Sequence, residues 1–157
     1  SIEQSISTRN YKVKTIFSEV DKVNFKEKSF SEIKKYFEKA AAEINTVDRI
    51  QCKTIREDSG TIMYLISNRA NGQDKYITIS TESTHNFSNS DLYYIFEKDV
   101  PQNRMQMDQN FEISDDDYDQ YWKKVYNSYN RNDETRYTAN ELAGEIWDNF
   151  ISQVGIS

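Results

Sequence analysis

The feature that most constrains this chain is the stretch from Ile50 to Ser80. Two turns, Asp58-Ser59-Gly60 and Asn71-Gly72, separate three short runs rich in β-branched and aromatic residues. An Asn-Gly pair between apolar runs favours a hairpin, because both residues tolerate the positive φ that tight turns need. The stretch therefore reads as a three-stranded antiparallel meander over 50–57, 61–68 and 75–80. In the middle run Ile62, Tyr64 and Ile66 alternate with Met63 and Leu65, so it is apolar on both faces and belongs inside the sheet. The flanking runs are one-sided: Ile50, Cys52 and Thr54 alternate with Gln51 and Lys53, and Ile77 and Ile79 with Tyr76 and Thr78. Leu92 to Phe96 reads as a fourth strand, closed by Pro101, the only proline.

Helix signals flank the meander. Ser29 with Glu32 three residues on has the form of a capping box and predicts a helix over 30–46, with Ile33, Phe37, Ala40, Ala41 and Ile44 along one side. Upstream, Tyr11, Val13, Thr15 and Phe17 alternate as in a strand, but Val13, Ile16, Phe17, Val20 and Val23 also share a helical face, and 11–25 leans to helix. Residues 99–113 show no clear period and read as an irregular connection. Ser114 followed by Asp115, Asp116 and Asp117 has the chemistry of a helix start and predicts a helix over 114–129. A second box, Thr138 to Glu141, opens a last helix carrying Leu142, Ile146, Trp147, Phe150 and Val154, with Gly155 placed to end it. The expected architecture is α+β: a three- to four-stranded meander covered on one face by helices, with a C-terminal helical pair. Residues 1–10 are polar and aperiodic, a flexible lead-in to a single domain over 11–157.

Composition narrows the function classes. A chain of 157 residues needs no disulfide or metal staple, and its 13% aromatic content separates it from disordered chains despite 29% charged residues. The lone Cys52 excludes an internal disulfide and, with one histidine, a Cys/His zinc site. No apolar run approaches the roughly twenty residues of a membrane helix, and the N-terminus lacks the basic and apolar regions of a signal peptide, so a cytoplasmic location and no membrane partner are expected. A chain that begins with Ser1 also reads as a processed or excised piece. The net charge of −6 is uneven: residues 1–75 carry 14 Lys and Arg against 11 Asp and Glu, and residues 76–157 carry 6 against 15.

No catalytic or cofactor motif stands out. His85, in Ser83-Thr84-His85-Asn86, has no recognisable nucleophile turn beside it and reads as a loop histidine; a small hydrolase built on it is a remote third reading. Cys52 reads as a buried thiol. The run Asp115 to Asp119 lacks the central Gly and distal Glu of a calcium loop. Asp48 lies too near Gln51 and Lys53 in sequence for a nuclease-type cation site, and four scattered glycines cradle no phosphate. No metal and no cofactor are expected. The leading expectation is a non-enzymatic protein-interaction module, self-association included, working through Tyr118, Tyr121, Trp122 and Tyr129 on the C-terminal helices or through an exposed sheet edge. The alternative is a nucleic-acid recognition domain of a larger system, using Lys34, Lys35, Lys39, Arg49, Lys53, Arg56 and His85 with the loop 81–91, although a pI near 4.9 argues against a dedicated phosphate-backbone binder.

Overall fold

The computed structural model of the protein describes residues 9–82, 90–100, 107–125 and 133–157. Its elements run α1 (Glu19–Ile44), β1 (Ile50–Glu57), β2 (Thr61–Asn68), β3 (Gln73–Ser80), β4 (Leu92–Ile95), β5 (Gln109–Asp115), β6 (Gln120–Lys124) and α2 (Ala139–Ser152). All six strands form one antiparallel sheet in the order β1-β2-β3-β4-β5-β6. The class is α+β, with more strands than the sequence suggests. No helix among the described residues is long and apolar enough to cross a membrane.

The three strands of the 50–80 meander form where the β-branched runs place them, paired as Cys52 with Ile66 and Tyr64 with Ile77. Ile62, Tyr64, Ile66, Ile77, Ile79, Leu92, Phe111 and Trp122 line one sheet face and join the buried side chains of both helices in a single core. On the opposite face Tyr93, Ile95 and Met107 make a smaller cluster with Val100, and the Thr78 hydroxyl donates to the carbonyls of Glu97 and Lys98.

Two helix expectations need correction. A single helix of 26 residues replaces the separate 11–25 and 30–46 segments, and it is capped earlier than Ser29 implies. The Ser18 hydroxyl accepts from the Asp21 amide at 3.2 Å while the Asp21 carboxylate accepts from the Ser18 amide at 2.8 Å, which satisfies two donors at the helix start. Ser29 is buried inside the helix. Upstream of Ser18, residues 9–17 have no helical structure. The second correction is larger: the described part of the expected 114–129 helix, residues 114–125, is not helical, and among the described residues α2 has no helix immediately before it. Residues 109–115 and 120–124 form a hairpin, with Ile113 opposite Trp122. The aspartates that resemble a helix cap instead serve a turn. The Asp116 carboxylate accepts from the amides of Asp119 at 2.8 Å and Tyr118 at 3.0 Å, and Asp115 accepts from Asp117 at 2.9 Å. Those bonds hold the Asp116 carboxyl below the usual carboxylate range, with Arg136 adding to the effect. Residues 109–113, expected to be irregular, lie in β5. The last helix is capped at Thr138 and Glu141 as its sequence indicates, and Gly155 adopts φ 78° beyond its end.

Each sheet edge is capped at one position. The Asn45 side chain accepts from the Cys52 amide at 2.7 Å and donates to the Cys52 carbonyl at 2.9 Å, imitating a neighbouring strand along the outside of β1. A bulge between Thr54 and Arg56 breaks the same strand further on, a common way to blunt an edge. On β6, Trp122 exchanges two backbone hydrogen bonds of 2.9 Å with Tyr137. Asn45→Ala is expected to cost about 1–2 kcal/mol, read from the urea midpoint, because two partly buried backbone groups lose their partners. It should also raise concentration-dependent light scattering as the edge opens.

Candidate functional site

The described partner-binding residues anticipated on a helix, Tyr118, Tyr121 and Trp122, lie instead on the β5–β6 hairpin. Tyr118 is exposed at the tip of the β5–β6 hairpin, where Lys12 lies 5.9 Å from its ring centroid. Tyr121 is half-buried beneath the Arg136 guanidinium, 4.3 Å from the ring centroid. Trp122 is fully buried, packed on Phe25 at 6.0 Å, and reaches no solvent. Tyr129 and His85 lie outside the described residues, as does most of the loop 81–91.

The anticipated cations are also dispersed. Lys34 donates to the Asp58 carbonyl at 3.2 Å and lies over Phe30, so it is engaged within its own fold. Arg56 is paired with Asp58 at 2.7 Å. Lys35 and Lys39 line an open groove of about 1010 Å³ between α1 and α2, where Glu32, Glu43 and Asp148 intersperse the opposite charge. Arg49 and Lys53 sit at another corner, beside Arg69. Among the described residues these cations form no continuous basic stripe. Cys52 is buried, and burial pushes its thiol up to about 12, so at neutral pH it is a poor nucleophile.

What composition and motif reading did not single out is the segment leading into α1. Among the described residues, Tyr11, Val13, Ile16, Val20 and Val23 are exposed large apolar side chains, with Ile16 97% and Val13 83% accessible. Scattered exposed apolar residues need no explanation, but five within thirteen residues are a local concentration of exposed apolar side chains. The signal is visible as apolar periodicity over 11–25; the helix it suggested begins only at Glu19.

The arm of residues 9–17 lies against the acidic hairpin tip. The Thr15 amide donates to the Asp117 carbonyl at 2.6 Å, and Lys12 stands 3.8 Å from the Asp119 carboxylate, with both side chains well exposed. Lys22 in α1 pairs with Asp91 at 3.4 Å. Arg9, Lys12 and Lys14 give residues 9–14 three cations and no carboxylate, while Asp115, Asp116, Asp117 and Asp119 crowd the tip. The contact is thus polar and electrostatic, and it leaves Tyr11, Val13 and Ile16 of the arm uncovered. Surface ion pairs of this kind contribute little, about 0–1 kcal/mol each.

A family model described as the Y4lF protein domain matches residues 51–152. The chain belongs to that family. The Y4lF match begins in β1 and ends with the last residue of α2, so it takes in the sheet and α2 but leaves out the arm, α1 and the Val47–Ile50 turn. The family description names no activity. Neither a curated protein nor a solved structure matches the chain.

Proposed function

We propose that the protein is a non-enzymatic interaction module whose docking surface is the N-terminal arm with the first turns of α1, and that its partner is a second copy of the chain. The observation that carries this reading is the exposed apolar group Tyr11, Val13, Ile16, Val20 and Val23, which nothing in the chain's own described residues covers. Charge supplies the choice of partner. A cationic arm calls for an acidic surface, and residues 76–157 offer one with a net charge of −9. The contact of the arm with the Asp115–Asp119 tip within one chain can form equally between two chains. Reciprocal exchange would keep those polar contacts and add burial of the valine and isoleucine side chains against the partner, at roughly 25 cal/mol per Å² of apolar area.

Sedimentation velocity over about 5–500 µM tests the reading, a range that brackets the micromolar dissociation constants of modest interfaces. The wild type is expected to dimerise within it. Val13→Ser, Ile16→Ser and Val20→Ser together should abolish dimers while leaving the circular dichroism and urea midpoint unchanged, since these positions are exposed. A wild type that stays monomeric throughout, or a triple variant that dimerises as strongly, would sink it.

A further inference from the structure

We infer that the corner formed by the Val47–Ile50 turn, the start of β1 and the β2–β3 turn binds a phosphoryl group. Arg49, Lys53 and Arg69 line one open depression of about 480 Å³ together with Gln51 and Asn45, and Arg49 and Arg69 also line an adjoining depression of about 370 Å³. The three cations come from separate segments that the backbone locks side by side. The Arg69 amide donates to the Arg49 carbonyl at 2.9 Å, and Ile50 is paired with Asn68 in the sheet.

Counter-charge is sparse there. Asp48 is the near carboxylate, 3.8 Å from the Arg49 guanidinium with its own side chain 96% exposed, and Asp74 stands two strands away in the row of Gln51 and Ser67. Among the described residues neither Lys53 nor Arg69 has an acidic partner within 4.0 Å. The set also suits phosphate oxygens: two planar guanidinium forks for bidentate contacts, one ammonium as a point charge and the Gln51 amide as a neutral donor.

Backbone conformation gives an independent argument. The turn is closed by the Ile50 amide donating to the Val47 carbonyl at 3.2 Å, which makes Arg49 its third residue, held at φ 68°. A turn that needs positive φ at this position favours Gly or Asn, and an arginine there is strained. The other non-glycine at positive φ among the described residues is Asp117, a residue type that tolerates it. Local structure alone therefore does not call for an arginine. Strain of this kind concentrates where a side chain has a task.

The test is an amide-resolved NMR titration of the full chain with inorganic phosphate, and separately with a short single-stranded oligothymidylate. Phosphate is expected to give saturable shifts at Arg49, Gln51, Lys53 and Arg69. An oligonucleotide that binds at least tenfold more tightly would identify the group as backbone phosphate, and equal affinity would identify it as a free phosphate. Arg49→Gly should weaken binding about tenfold, the loss of one charge-assisted contact, without lowering the melting temperature. Should that variant unfold, Lys53→Gln and Arg69→Gln leave the turn intact and are expected to weaken binding similarly. The absence of saturable shifts at these amides up to about 20 mM phosphate, well above a millimolar Kd, would overturn the assignment. So would shifts that persist unchanged in an Arg49→Gly, Arg69→Gln double variant.

Discussion

Trp122→Ala is expected to destabilise the fold by about 3–5 kcal/mol, the range for deleting a large aromatic side chain from a packed core. The indole is wholly inaccessible, it packs against Phe25 of α1, and its backbone joins β6 to Tyr137 just before α2. A domain of ordinary stability, about 5–15 kcal/mol, would lose a third or more of it. Trp122→Phe is the informative companion. The indole Nε1–H is buried without a hydrogen-bond partner, and a buried orphan donor costs about 1–3 kcal/mol. Phenylalanine removes that penalty while giving up some volume, so the two changes offset and the stability read from urea unfolding should change by less than about 1 kcal/mol. Tyr121→Ala, next in sequence but on the other sheet face beneath Arg136, should cost far less than Trp122→Ala. If both alanine variants cost the same, Trp122 is not the anchor that its burial implies.

That pair of neighbours also shows why the hairpin was hard to read. Tyr118, Tyr121, Trp122 and Val125 are spaced three and four apart and satisfy a helical stripe, while Trp122 alone belongs to the core and Tyr121 faces away from it. Over so short a run the two periods overlap. The aspartates deepened the ambiguity, because a carboxylate accepting a backbone amide two or three residues on is the same interaction at a helix start and in a tight turn. What decides between them is the partner strand: Phe111 and Ile113 pair with Lys124 and Trp122 across the hairpin. Polar residues interrupt the β5 pattern, and its apolar positions declare themselves only once Leu92 lies opposite Phe111.

The 50–80 meander was legible because three local signals agree there: β-branched content, alternation and Gly-marked turns. The α1 start was present as Ser18-x-x-Asp21 but less conspicuous than Ser29-x-x-Glu32, and only burial separates a true cap from a serine inside a helix. For the candidate surfaces the difficulty is of another kind. Arg49, Lys53 and Arg69 span twenty-one positions and meet because a β-hairpin returns the chain to its start. Arg69 carries no signal of its own in the sequence. The positive φ at Arg49 is likewise invisible until the turn is closed. The apolar residues of the arm were visible, but periodicity cannot tell a stripe that is buried within its own chain from one left for a partner.

Phe37→Ala is expected to be as costly as Trp122→Ala, about 3–5 kcal/mol, and to loosen a different part of the molecule. Phe37 is fully buried in α1 and touches both other layers, with its ring centroid 5.4 Å from Tyr64 of β2 and 5.3 Å, edge-on, from Trp147 of α2. Aromatic pairs of this geometry add about 0.5–1.5 kcal/mol beyond burial, so the loss should fall toward the upper end of the range. Hydration of the cavity would not soften it. A buried water needs two to four polar partners, and beyond the Tyr64 hydroxyl the surrounding core, Ile33, Trp147 and Phe150 among it, is largely apolar. The cavity stays dry and its walls lose their contacts outright. Phe37→Leu, which keeps an apolar side chain of similar reach, should cost about 1.5 kcal/mol or less. Because Phe37 joins α2 to α1 and the sheet, the alanine variant should speed amide hydrogen exchange in Ala139–Ser152 more than in β2 and β3, whose ladder bonds do not depend on it. Uniform acceleration across sheet and helix would show that α2 unfolds only with the whole domain. A loss below about 1 kcal/mol with α2 exchange unchanged would show that the helices do not share their core through this ring.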